Sequence, residues 1–247
     1  MNTLVRINKN TNLSILIILL WTPFLFFDST YFSNYYFDGK VITTLCVLVI
    51  DGFLLYTASL RLKIQILLMI PLSWLGEHLF CNVWDMYDYR AGTIPLYVPF
   101  GHAGVFAFGW LLTQKYVTKH NSITLKRSFT IFYALAFFIV ITFFKDTLSM
   151  LLGALFFWAL KRKKFLPFYL IMGTLVLYLE LAGTYLQVWT WSNQQGFFTT
   201  TNPPLGAIFL YVGGDMTLNK LTRFLLKLRR KKKLRHKKSL ISNTDKA

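Results

Sequence analysis

An all-α, polytopic bundle of membrane helices is the fold class this chain predicts. Three observations predict it. Hydrophobic residues fill 55% of the 247 positions and charged residues only 15%, against roughly 25% charged in a soluble domain. The apolar residues fall in blocks of about 15–20, the length that crosses a bilayer. The cations sit between alternate blocks and in the tail, as positive-inside bias places them. No Ser/Pro-rich linker divides the chain, so one membrane domain is expected.

The apolar blocks predict eight spans, at about 13–27, 41–60, 64–81, 94–112, 129–144, 147–160, 165–191 and 203–218, and a basic cytoplasmic tail over 219–247. The first is short and rich in Leu, Ile and Phe. Asp28-Ser29-Thr30-Tyr31 behind it is a poor signal-peptidase site, so it is kept as a helix. The second is interrupted by Asp51 and closed by Arg61 and Lys63. The third contains Pro71, tolerated where neighbours satisfy the freed carbonyl, and carries Glu77 near its end. An outer loop with Asp85, Asp88 and Arg90 follows. The fourth holds Pro95, Pro99, Gly101 and His102. Lys115, Lys119, Lys126 and Arg127 mark a basic loop. The fifth and sixth flank a tight Lys145-Asp146 turn, although one long tilted helix and a half-helix also fit that block. Lys161-Arg162-Lys163-Lys164 is a stop signal. The seventh carries Glu180, and the eighth carries Asp215. With eight spans every basic cluster and both termini fall on the cytoplasmic side. In the tail, Leu221, Phe224, Leu225 and Leu228 have the spacing of an amphipathic helix on an anionic leaflet. Ser239–Ala247 reads as disordered.

The net charge of +17 would suggest nucleic acid in a soluble protein. Here the cations follow the loops, and no nucleic-acid partner is expected. Cys46 and Cys81 read as buried thiols. No C-x-x-C, H-E-x-x-H or paired-histidine spacing occurs, so neither metal nor cofactor is expected.

Two short patterns recur. Asn82-Val83-Trp84 answers Gln187-Val188-Trp189, and Pro99-x-Gly101 answers Pro204-x-Gly206, both displaced by 105 residues. They predict a parallel internal repeat of spans one to four and five to eight.

Four acids fall inside expected spans: Asp51, Glu77, Glu180 and Asp215. A charge at a helix centre costs about 2.5–3.5 kcal/mol on insertion scales, so these groups need partners or a proton. Glu77, His102, Glu180 and Asp215 are the candidate acid/base residues, with Glu77 and His102 facing each other across an outer-leaflet pocket. Asp51, Asp85 and Asn202 are candidate binding residues, as are the aromatics Trp84, Tyr87, Trp189 and Trp191. The aromatics fit an interfacial belt equally well. Asn202 also reads as a helix N-cap with Pro203 or Pro204 in the first turn.

Glu77, Trp84-x-x-Tyr87-x-Tyr89 and Gly92-x-Ile94-Pro95-Leu96-x-Val98-Pro99 together resemble the core motif of the carotenoid 1,2-hydratase-type integral membrane proteins of carotenoid biosynthesis. Glu180 with Trp189-x-Trp191 is similar to their second acidic helix. His102 departs from the pattern, standing where a bulky residue such as Trp is expected. The resemblance implies a multi-span enzyme that adds water across a C=C bond of a long isoprenoid. Three function classes therefore stand side by side: a membrane enzyme acting on an isoprenoid or other lipid, a small-molecule or proton-coupled transporter, and a non-catalytic membrane scaffold.

Overall fold

The computed structural model describes residues 21–244, with side chains to residue 231. Residues 13–20 of the expected first span lie outside the described residues. The chain is helical from 21 to 27 (α1) and continues through α2 (Thr30–Tyr35), α3 (Lys40–Thr57) and α4 (Leu60–Glu77). A π-helical turn, His78–Val83, extends α4, and β1 (Tyr87–Tyr89), α5 (Tyr97–Tyr116), α6 (Ser122–Phe143), α7 (Thr147–Arg162) and α8 (Pro167–Tyr185) follow. Three short strands, β2 (Trp189–Trp191), β3 (Gln194–Gln195) and β4 (Phe198–Thr199), precede the long α9 (Ala207–Thr244).

The helix starts have local causes. The Ser29 hydroxyl accepts the Phe32 amide at the head of α2. Ser59 does the same for Leu62 in α4. Asp146 takes the Ser149 amide at the head of α7, and Pro167 occupies the first turn of α8, where its missing N–H costs nothing. Asp146 thereby separates α6, 22 residues long, from α7, with 16, the long helix and shorter helix that the block also allowed.

Four described helices are long and apolar enough to cross a membrane: Lys40–Thr57, Leu60–Val83, Ser122–Phe143 and Pro167–Tyr185. The expected count of eight is corrected to these four candidates. Helix α7 has 16 residues, about 24 Å of rise against a hydrocarbon core of about 30 Å. Helix α5 carries Pro99, Gly101, His102 and Gly104 and turns most of its residues inward, so its neighbours, and not lipid, surround it. Helix α9 is unbroken through the expected boundary at 218 and dense in Lys and Arg beyond it. Ser239–Thr244 are helical where disorder was expected. The seventh span also ends early, because Trp189–Trp191 is a strand.

The surfaces follow the same logic. Helix α6 buries only Tyr133 and Phe137 and exposes Ile131, Phe132, Leu135, Phe138 and Ile139, as a helix bathed in lipid would. At the centre α4 packs on α5 and α9, and α8 packs on α9 and α5. Helix α3 lies against α5, and α7 against α9. The strands β1 and β2 pair antiparallel across one end of these four central helices, with Tyr87 opposite Trp191 and Tyr89 opposite Trp189.

Candidate functional site

Glu77, in the last turn of α4, is buried and holds three donors. The Tyr87 and Tyr89 hydroxyls donate to its Oε2 at 2.7 and 2.6 Å, and His102 Nε2 lies 2.9 Å from its Oε1. The π-helical turn and Asp85, held at a φ of 52°, reverse the chain so that β1 runs back over the end of α4. Strand alternation then projects Tyr87 and Tyr89 to the same face. Burial, then the adjacent Glu77 carboxylate, holds both phenols well above their ordinary range, which keeps them protonated as donors.

The same arrangement occurs again at the end of α8. Glu180 takes the Trp189 and Trp191 indole N–H groups on Oε2, both at 2.9 Å, and the Tyr211 hydroxyl on Oε1 at 2.5 Å. Tyr87 and Tyr89 lie 10 and 12 residues beyond Glu77; Trp189 and Trp191 lie 9 and 11 beyond Glu180. The third donor comes from the next long helix in both cases, His102 from α5 and Tyr211 from α9. Each strand is entered two residues after a left-handed residue, Asp85 or Gln187. The two centres meet where the His102 and Tyr211 rings stack, 4.9 Å between centroids and 13° between planes.

A second pair of acids secures the loops outside these centres. Asp28 accepts Arg90 at 2.6 Å and the Tyr97 hydroxyl at 2.7 Å. Arg90 also donates to Asp38 at 2.8 Å. Burial lifts the Asp28 carboxyl above its usual range, against the opposing pull of the Arg90 and Tyr97 hydrogen bonds. Asp146 accepts the hydroxyls of Ser149 and Thr201 at 2.8 and 2.7 Å. One acid ties down the loop after β1, the other the loop after β2.

Two cavities flank the ring stack, and His102, Tyr211, Tyr87 and Met69 line both. The smaller, about 80 Å³, lies between α5 and α8 and is bounded by Trp21 and Leu25 of α1. The larger, about 330 Å³, lies between α4 and α9, with Ser73, Glu77 and Trp191 among its walls. Glu180 and Asp215 also line the smaller one; otherwise both are lined by aliphatic and aromatic side chains, which suits an apolar ligand.

His102 and Asp215 are the cavity-lining groups with hydrogen-bonding capacity to spare; Asp51, away from both cavities, also has neither carboxyl oxygen hydrogen-bonded among the described residues. With Nε2 given to Glu77, His102 Nδ1 makes no hydrogen bond to any described residue. Asp215 is 1% exposed, lines the smaller cavity, and neither carboxyl oxygen is hydrogen-bonded among the described residues. Both glutamates, by contrast, have partners on both carboxyl oxygens.

The other expected site residues scatter. Asp51 is buried beside Trp21 and Gly104, outside the walls of both cavities. Trp84 is exposed and packs on Phe80. Asp85 acts through its backbone, its carbonyl accepting the Gln195 side chain. Asn202 does not cap a helix; its side chain accepts the Trp191 amide and fixes β2, and α9 begins only at Ala207. Tyr87, Tyr89 and Trp191 are buried, so they form the site and not an interfacial belt. Tyr211 was not anticipated. No local signal marks it, because its partner Glu180 lies on another helix. Among the described residues no three His, Cys, Asp or Glu side chains gather as a ligand set.

No known protein family, curated protein or solved structure matches the chain.

Proposed function

We propose that the chain is a multi-pass membrane enzyme performing acid/base chemistry, of the hydration type, on a C=C bond of an isoprenoid or other lipid-like substrate. The observation that carries this reading is the Glu77–His102 couple, a buried carboxylate orienting an imidazole at the wall of two apolar cavities. In the step envisaged, the His102 imidazolium, paired with Glu77, gives its Nδ1 proton to one alkene carbon, and the π pair becomes the new C–H bond. The faces of Tyr87, Trp191 and Tyr211, which line the larger cavity with His102, shield the cation. Water adds to it and returns a proton to His102 Nδ1, and Glu77 stabilises the imidazolium. Glu180 positions Tyr211. The resemblance to carotenoid 1,2-hydratase-type proteins supports the substrate class.

The same reading places both termini in the cytoplasm and the basic part of α9 against anionic lipid headgroups. The matching glutamate centres support two parallel halves, α1–α5 and α6–α9. Lipid extracts of cells carrying the wild type and Glu77→Gln test the proposal. The variant should lose the product by about 10²–10⁴-fold in rate; identical lipid profiles would remove the idea. One observation favours a second reading. Two matching centres that share one ring stack between two cavities also suit a proton-coupled transporter, for which vesicle uptake driven by a proton gradient is the measurement.

A further inference from the structure

The two cavities occupy matching places, yet one is filled by the chain itself. Gly104 lies two residues beyond His102, and Gly213 lies two residues beyond Tyr211. A Cβ on Gly104 would meet the Trp21 ring and the Asp51 carboxylate, both at 3.0 Å, and one on Gly101 would meet Trp21 at 3.5 Å. The α1 indole thus occupies the seam between α5 and α8, and Thr22 anchors α1 to Tyr178 of α8. On the other seam, between α4 and α9, a Cβ on Gly213 or Gly214 would meet nothing within 4 Å. No described helix takes the place there that α1 takes on the first seam, and the cavity is the larger one, about 330 Å³ against 80 Å³. Its α4 wall includes Leu75 and Leu79, both exposed large apolar residues. The outer surface beside it carries Trp74, also exposed. Of its polar groups, Ser73 and Glu77 are buried and His102 and Tyr211 are part-buried.

We infer that the seam between α4 and α9 is the doorway through which a single apolar chain enters from the bilayer, its reactive segment coming to rest against His102. The chain takes the place that the Trp21 indole takes on the opposite seam. An isoprenoid-like chain fits, because the walls offer aliphatic and aromatic contact with polar groups only at the inner end. An exposed apolar rim opening to water would be a liability, whereas opening to lipid it is neutral. This inference rests on the lipid-enzyme reading and names the route and the occupant.

Photocrosslinking tests it. The full chain in nanodiscs is irradiated with a C15 isoprenoid alcohol bearing a diazirine, and labelled peptides are mapped by mass spectrometry. Label should fall on Leu72–Phe80 and Leu210–Gly214. Gly214→Trp, which builds an indole into the empty place, should reduce labelling at least tenfold. Gly76→Leu serves as a second variant, since a Cβ there meets only Phe80, at 3.7 Å. Each variant is compared with the wild type by size exclusion and melting temperature. Label that maps elsewhere, or that persists in both folded variants, overturns the doorway. If labelling behaves as expected while Glu77→Gln leaves lipid profiles unchanged, the doorway stands and the enzymatic reading falls. The reverse pattern sinks the doorway alone.

Discussion

The Glu77 and Glu180 centres share a frame and differ in chemistry. Each is a buried carboxylate near the end of a long helix, gripped by two aromatic side chains of a short strand and by one residue of a later helix. Around Glu77 the donors are two phenols and an imidazole. Around Glu180 they are two indoles and a phenol. An indole N–H does not release its proton and has no acceptor to offer, so Glu180 is locked. An imidazole has a second ring nitrogen, and His102 Nδ1 is left free of Glu77. On the function proposed above, one geometry serves as scaffold in one half and as reactive centre in the other.

Three pairs of substitutions would sharpen or break that contrast. The largest effect is expected at the loop anchors. Arg90→Gln leaves Asp28 buried without its cation, a loss of about 3–5 kcal/mol, read as a lower melting temperature in detergent. Thr201→Val at Asp146 should cost less, because the Ser149 bonds remain. Equal losses would contradict the view that only the first half relies on an ion pair.

A middle effect is expected at the carboxylates. Tyr211 is the one hydroxyl on Glu180 Oε1, whereas Tyr89 shares Glu77 Oε2 with Tyr87. Tyr211→Phe should therefore approach the upper end, and Tyr89→Phe the lower end, of the roughly 1.5–3 kcal/mol given by a hydrogen bond to a charged group. Denaturant titration of the two variants side by side decides this, and the reverse order would mean that Glu77 is the more tightly held.

The smallest effects come from the glycines, and they differ in sign. Gly104→Ala must push aside Trp21 or Asp51 and should cost about 1–3 kcal/mol. Gly213→Ala meets nothing and should gain up to about 1 kcal/mol from helix propensity. A shared sign in thermal melts would show that the two seams are filled alike.

How much of this was legible beforehand depends on range. The helices could be read because apolar blocks and charged punctuation are local. Glu77 facing His102 could also be read, since both sit on helices joined by one loop. The span count went wrong where interior position replaces hydropathy, as in α5, and where a helix falls short of bilayer thickness, as in α7. The Asn82–Trp84 and Gln187–Trp189 likeness pointed to the right loops but the wrong register. Strand pairing matches Tyr87–Tyr89 with Trp189–Trp191, and tyrosine against tryptophan leaves no shared letters. Tyr211 was out of reach because nothing local marks it. Its role comes from Glu180, a helix away.

The pairing of β1 with β2 also bears on how the molecule is made. Tyr89 must wait for Trp189, and at about 5–20 residues per second of synthesis that interval lasts roughly 5–20 s. Until then β1 is an open edge, and Glu77 has its own donors but not the lid that β2 lays over them. An unpaired edge of this kind invites misassembly. The order of synthesis therefore completes the Glu77 centre before the Glu180 centre that pairs with it. A nascent chain arrested before β2 would expose this stage.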